Sequence, residues 1–270
     1  MPSYSSSFGF TLVELVVVIV IVGILSAMGG LIITNHMEGY GDIRRRAELV
    51  DSAESALRRM QRDIRSALPN SINASSDNKK LKLIHSVAGG RYRAKPNATG
   101  GGYILDFDAK DNSTDVIGRL YRNSSGDIPS AVQNSTLVIY NTGQGKANAY
   151  NQNNTASNVE VIASSNDKYD RLEFDKKQFP YRSPYQRFFL VNNEVRYTLL
   201  DNDKLYRQWR EFGDNTWSHQ ALVTRHVQSA NFTYKPGTSS RSALMTLELT
   251  LEEEGEKVSL LHQVHVLNFP

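Results

Sequence analysis

Apolar residues run almost unbroken from Phe10 to Ile33, then recur at three- and four-residue spacing, and finally alternate with polar ones. These three regimes divide the chain. From Leu15 to Ile33 the only polar side chain is Ser26, and none is charged. A helix over 10–33, rising about 1.5 Å per residue, measures roughly 36 Å. That is enough to cross a hydrocarbon core of about 30 Å. The pattern predicts one transmembrane helix, with residues 1–9 ahead of it. Gly29 and Gly30 are expected to weaken it locally. Beyond it, Ile43, Ala47, Val50, Ala53, Leu57, Met60, Ile64 and Ala67 draw one apolar stripe along a charged helix. Glu38 and Asp42 precede the stripe, Arg58, Arg59, Arg62 and Arg65 crowd its later turns, and Pro69 ends it. An amphipathic continuation is therefore predicted over 34–68, with a face that has to bury against something.

The remainder, 69–270, reads as a β-rich head. LKLIH (81–85), YILDF (103–107), TLVIY (136–140), RLEFD from Arg171 and FFLVN (188–192) are strand-like runs. EVRYTLL and KLYRQW flank Asp201-Asn202-Asp203, a hairpin turn by composition. Met245, Leu247, Leu249 and Leu251 alternate with polar residues. Val258, Leu260, Val264 and Val266 follow the acidic turn Glu252–Glu256, which predicts a long antiparallel hairpin with one buried face. Residues 141–158, NTGQGKANAYNQNNTASN, are predicted to be loop. The expected fold class is α+β: a long N-terminal helix, transmembrane in its first half, packed on an antiparallel sheet.

Composition narrows the function. With 270 residues, 40% of them hydrophobic, the chain is no disordered tail, and a formal net charge of +3 is too small to argue for nucleic acid. The absence of cysteine excludes disulfides and thiolate metal sites. No Gly-x-Ser-x-Gly, phosphate-binding loop or zinc signature is present, so no catalytic residue, cofactor or metal is expected, and the chain reads as a non-enzyme.

One residue changes the picture. Glu14 stands inside the apolar run, where a carboxylate costs on the order of 3 kcal/mol at the helix centre and less near the interface. An ordinary signal anchor gives it no reason. A secretory signal peptide fits poorly, because the run exceeds the usual apolar core and no Lys or Arg precedes it. GFTLVE, directly ahead of a Val/Ile run, resembles the processing site of the type IV pilin and type II secretion pseudopilin superfamily. The resemblance implies cleavage after Gly9 by a prepilin peptidase and N-methylation of Phe10. It also implies that Glu14 sets subunit register by pairing with a neighbour's terminal amine, a pairing that a low-dielectric setting favours. MPSYSSSFG has no charged side chain, whereas the family's leaders are normally basic. Arg44-Arg45-Arg46 lies beyond the span, so charge bias alone favours the inverse orientation.

Further along, RMQRDIRSALPNSI (59–72), GGRYRA (89–94) and LHQVHVLNFP (261–270) look like MSHA-type minor pilins. That likeness implies a structural subunit near the pilus tip that helps prime assembly. Implied partners are major and minor pilins, the prepilin peptidase, the assembly platform and the membrane. The implied location is the inner membrane, single-pass, with a periplasmic head that can enter the extracellular pilus. A minor, J-like pseudopilin of a type II secretion system has the same parts. From other classes, the rivals are a tip adhesin or DNA-binding pilin and a membrane-anchored periplasmic enzyme.

Other clusters carry less. His262 and His265 stand three apart on a predicted strand and face opposite sides, so they do not chelate one ion. Asp106, Asp108, Asp111, Asn112 and Asp115 are rich in oxygen but lack the glycine and terminal glutamate of a calcium loop, and read as solvated. FPYRSPYQRFF (179–189) offers Tyr181, Arg182, Tyr185 and Arg187 as a candidate ligand surface, with Arg207, Trp209 and Arg210 as additions. Interface composition explains the same residues more simply. Arg44-Arg45-Arg46 reads as a lipid-headgroup contact.

Overall fold

In the computed structural model the described residues are 9–98, 100–163, 169–237, 242–266 and 268, with the backbone alone over 28–39. Helix α1 spans Leu12–Arg65 and continues through Gly29 and Gly30. Its last turn closes at Ser66, whose hydroxyl donates to the carbonyls of Arg62 and Asp63. Local competition of this kind, with Pro69 close behind, stops the helix short of 68.

Among the described residues twelve strands follow: β1 (Asn73–Ala74), β2 (Lys80–Arg91), β3 (Asp111–Asp115), β4 (Ser135–Ile139), β5 (Thr155–Ala163) and β6 (Asp170–Lys177). Then come β7 (Arg187–Leu200), β8 (Lys204–Glu211), β9 (His219–Thr224), β10 (Val227–Lys235), β11 (Ala243–Glu253) and β12 (Glu256–Val266). All pairings are antiparallel. One nine-stranded sheet runs β1-β2-β7-β4-β5-β6-β3, with β8 and β9 branching from β7, and β10-β11-β12 form a second sheet.

The pivot is β7. One edge takes β2; the other takes β4 at Phe188–Val191 and β8 from Asn193 onward. One 14-residue strand thus holds what the sequence suggests as two, FFLVN and EVRYTLL. Between β7 and β8 the turn has Asp201 at φ 53° and Asn202 at φ 65°, the left-handed pair that a tight hairpin matched to strand twist requires.

Around this pivot the described buried residues form two large cores and a small third one of Leu68, Ile84, Val138, Ala149 and Val191. In the first, Leu49, Ala53, Ala56, Leu57, Met60 and Ile64 of α1 pack with Leu81, Leu83, Val195, Tyr197 and the inward faces of β10–β12. Each large side chain fully buried there contributes about 1.5–3 kcal/mol. The stripe begins later than its spacing predicts: Ile43 is 70% exposed, and burial starts at Leu49. The second core gathers Tyr92, Leu105, Val116, Leu137, Val161, Leu172, Phe174, Phe179 and Phe188.

YILDF is not a strand. The neighbouring Asp111–Asp115 takes that place as β3, pairing with β6. Asp115 is wholly buried there, held by Arg93 at 3.1 Å, by Arg171 at 3.4 Å and by the Tyr103 N–H at 3.0 Å. Asp170 is equally buried, with the Leu120 N–H at 2.8 Å and Arg122 on its carboxylate. Paired burial, not solvation, explains these two acids. Residues 141–158 are only partly loop. Ala149–Asn151 form a 3-10 turn, Thr155 opens β5, and Asn141 anchors the turn by accepting the Ala149 N–H while donating to the Pro69 carbonyl.

Candidate functional site

Thr11 is extended, at φ −84° and ψ 148°, and caps α1: its hydroxyl oxygen accepts the Glu14 backbone N–H at 3.2 Å. Thr-x-x-Glu is the sequence form of a capping box, and a carboxylate in the first turn suits the positive end of the helix dipole. Gly9 and Phe10 therefore lie just ahead of the cap, outside the helix. Phe10 is 74% exposed, and Glu14 is exposed as well. None of the large apolar side chains from Leu12 to Leu25 is buried, and they face every side of the helix. A contiguous apolar surface of this kind marks an interaction surface left uncovered by the described residues. Among the described residues no helix is long and apolar enough to cross a membrane. The side chains described along this run stop at Ala27 and resume at Tyr40.

The second candidate surface comes apart in space. Tyr181 and Tyr185 are 49% and 59% exposed, while Phe179 and Phe188 of the same segment are core. Arg182 reaches Asp108 at 3.4 Å and lies 5.4 Å from the centre of the Phe107 ring, and Arg187 lies 5.2 Å from that of Tyr185. Two clefts flank Phe107: one of about 550 Å³ includes Tyr181, Lys146 and Lys177, the other of about 480 Å³ includes Arg182, Tyr92 and Lys95. Tyr92 is buried, which raises its hydroxyl above the usual phenol range.

Arg207, Trp209 and Arg210 lie elsewhere, on β8. Arg207 pairs across from Tyr197 on β7, so it stands about 30 Å along that strand from Arg187, at roughly 3.3 Å per residue. There Arg207 donates to Asp63 of α1 at 2.6 Å, and the Tyr197 hydroxyl donates to the same oxygen at 2.8 Å. Burial, reinforced by the Asp63 carboxylate, holds Tyr197 far above the usual phenol range. Arg210 binds the buried Glu194 at 2.9 Å, beside Lys82 at 2.8 Å. Trp217 lies between Arg196 and Arg210, 4.3 and 4.7 Å from its ring centre. Burial, with Arg210 nearby, lowers the Arg196 pKa. These groups tie elements together. The Asp63 triad is not visible in the sequence, because Asp63 stands more than a hundred residues from both Tyr197 and Arg207.

Arg45 of the basic triplet bridges Asp42 and Glu254, linking α1 to the β11–β12 turn, and Arg44 pairs with Glu48 at 2.9 Å. His262 and His265 sit on β12 opposite Leu247 and Leu244. Among the described residues no three His, Cys, Asp or Glu side chains converge as a metal site.

Compared with known proteins, residues 4–30 match the prokaryotic N-terminal methylation motif, which is prepilin-type. No curated protein and no solved structure matches the chain. The motif indicates a type IV pilin or pseudopilin, and with it prepilin peptidase processing and association with other pilins in general.

Proposed function

We propose that this chain is a non-catalytic assembly subunit, a minor pilin of an MSHA-type pilus most like MshO, that acts in pilus initiation or at the tip. Prepilin peptidase cleaves after Gly9, Phe10 becomes N-methylated, and residues 10–33 anchor the protein in the inner membrane with the head in the periplasm. The observation that carries this reading is the methylation motif set at the capped start of an apolar helix whose side chains from Leu12 to Leu25 are exposed among the described residues. In a filament, neighbouring helices would supply that cover, and Glu14 would meet the terminal amine of the next subunit. The subfamily rests on the segments at 59–72, 89–94 and 261–270; a pseudopilin of a secretion system would use the same N-terminal parts.

Glu14→Ala tests the reading. The cap uses the backbone N–H of Glu14, which alanine keeps, so the helix start survives. The variant is expected to reach the membrane and to be processed like the wild type. Its recovery in sheared filaments should fall more than about tenfold, since a charge-assisted contact is worth about 1.5–3 kcal/mol. Incorporation at the wild-type level would sink the proposed register role.

A further inference from the structure

Strand β2 is paired with β7 along its length, but its other edge is covered only in part. β1 takes Leu81 and Lys82, isolated bridges join Ala67 to His85 and Tyr92 to Val116, and the Ser86 N–H donates to the Ser66 carbonyl. Between these, Val87 to Gly90 have no strand beside them among the described residues. They border a groove of about 700 Å³ between the end of α1 and Phe188-Phe189 of β7.

The groove exists because its floor cannot carry side chains. A Cβ on Gly90 would come within 2.9 Å of two atoms of the Phe188 ring, and one on Gly89 would meet the Phe188 carbonyl oxygen at 3.2 Å. Glycine inside a strand commonly marks such a close approach. Three arginines line the groove, Arg65, Arg91 and Arg187, and no carboxylate does. Arg65 and Arg91 are exposed and have no carboxylate partner among the described residues.

We propose that this groove binds an extended acidic peptide segment of a partner protein, laid along β2 from Val87 to Gly90 as an added strand, its carboxylates meeting Arg65, Arg91 and Arg187. An open strand edge offers N–H and C=O groups that only another polypeptide backbone completes, and the cationic rim selects acidic sequence. A lipid surface touching the apolar run is out of reach, because Ile33 to Arg65 measures about 48 Å along α1 at roughly 1.5 Å per residue. The inference does not rest on processing at Gly9, and its failure would leave the pilin reading standing.

The test uses the full chain in non-ionic detergent and a fluorescent, end-blocked heptapeptide of alternating aspartate and valine, followed by anisotropy. Saturable binding is expected, weakened at least about tenfold by Arg91→Glu or Arg65→Glu, as loss and reversal of a charge-assisted contact implies. Arg44→Glu, an exposed arginine far from the groove, serves as the control and should bind as the wild type does. The same peptide with N-methylated backbone amides should bind at least about tenfold more weakly, because strand addition needs those donors. The proposal is overturned if the peptide does not bind, or if the N-methylated form binds equally. It is also overturned if oligothymidylate binds through Arg65 and Arg91 and the peptide fails to displace it.

Discussion

Leu57→Asp is expected to leave the head unfolded, whereas Ile43→Asp on the same stripe of α1 should be nearly silent. Leu57 is wholly buried where α1 meets the sheets, among Met60, Tyr197 and the inward residues of β11 and β12. An aspartate there forfeits about 2–3 kcal/mol of apolar burial and strands a carboxylate at several kcal/mol more. That is comparable with the whole stability of an ordinary domain, about 5–15 kcal/mol. Ile43 is 70% exposed, and surface changes stay within about 0.5 kcal/mol. Urea unfolding followed by tryptophan fluorescence separates the two. A cooperative, wild-type transition for Leu57→Asp, or an equal loss for both variants, would contradict the packing described.

Asp63→Ala is the second large effect. It removes the one carboxylate that accepts from both the Arg207 guanidinium and the Tyr197 hydroxyl. Side chains of Asp63 and Arg207 are only 15% and 17% exposed, so water does little to replace the lost contacts. A loss of about 2–4 kcal/mol is expected, the range for breaking a largely buried pair and orphaning its hydrogen bonds. Combining it with Arg207→Met should recover part of the loss, because the stranded charge goes too. If Asp63→Ala changes the urea midpoint no more than Ile43→Asp does, the triad does not fasten the helix to β7 and β8.

What was legible in the sequence was local. The methylation motif lies within one continuous stretch, and the β11–β12 hairpin declares itself by alternation on either side of the acidic turn Glu252–Glu256, broken at Leu261. The amphipathic stripe is visible too, although Leu49 and Ala56 join it and Ile43 does not, because spacing marks a face without saying where the sheets begin. Long-range pairing is what the sequence hides. Asp115 belongs to a strand because Arg93 and Arg171 arrive to neutralise it. Arg207 looks like a ligand contact until Asp63 is placed beside it. The groove beside β2 depends on Gly89-Gly90 lying inside a strand that runs past the predicted 81–85, and its arginines come from three separate elements.

The most direct test of the account is the intact mass and N-terminal residue of the protein purified from its native membrane. A chain beginning at N-methylated Phe10 is the expected result, since it requires both cleavage after Gly9 and methylation. A chain that keeps the residues ahead of Phe10 would leave an uncleaved anchor and no reason for Glu14. A chain beginning near Gly30 would mean a secreted protein, and the assembly role proposed for the N-terminal helix would be wrong.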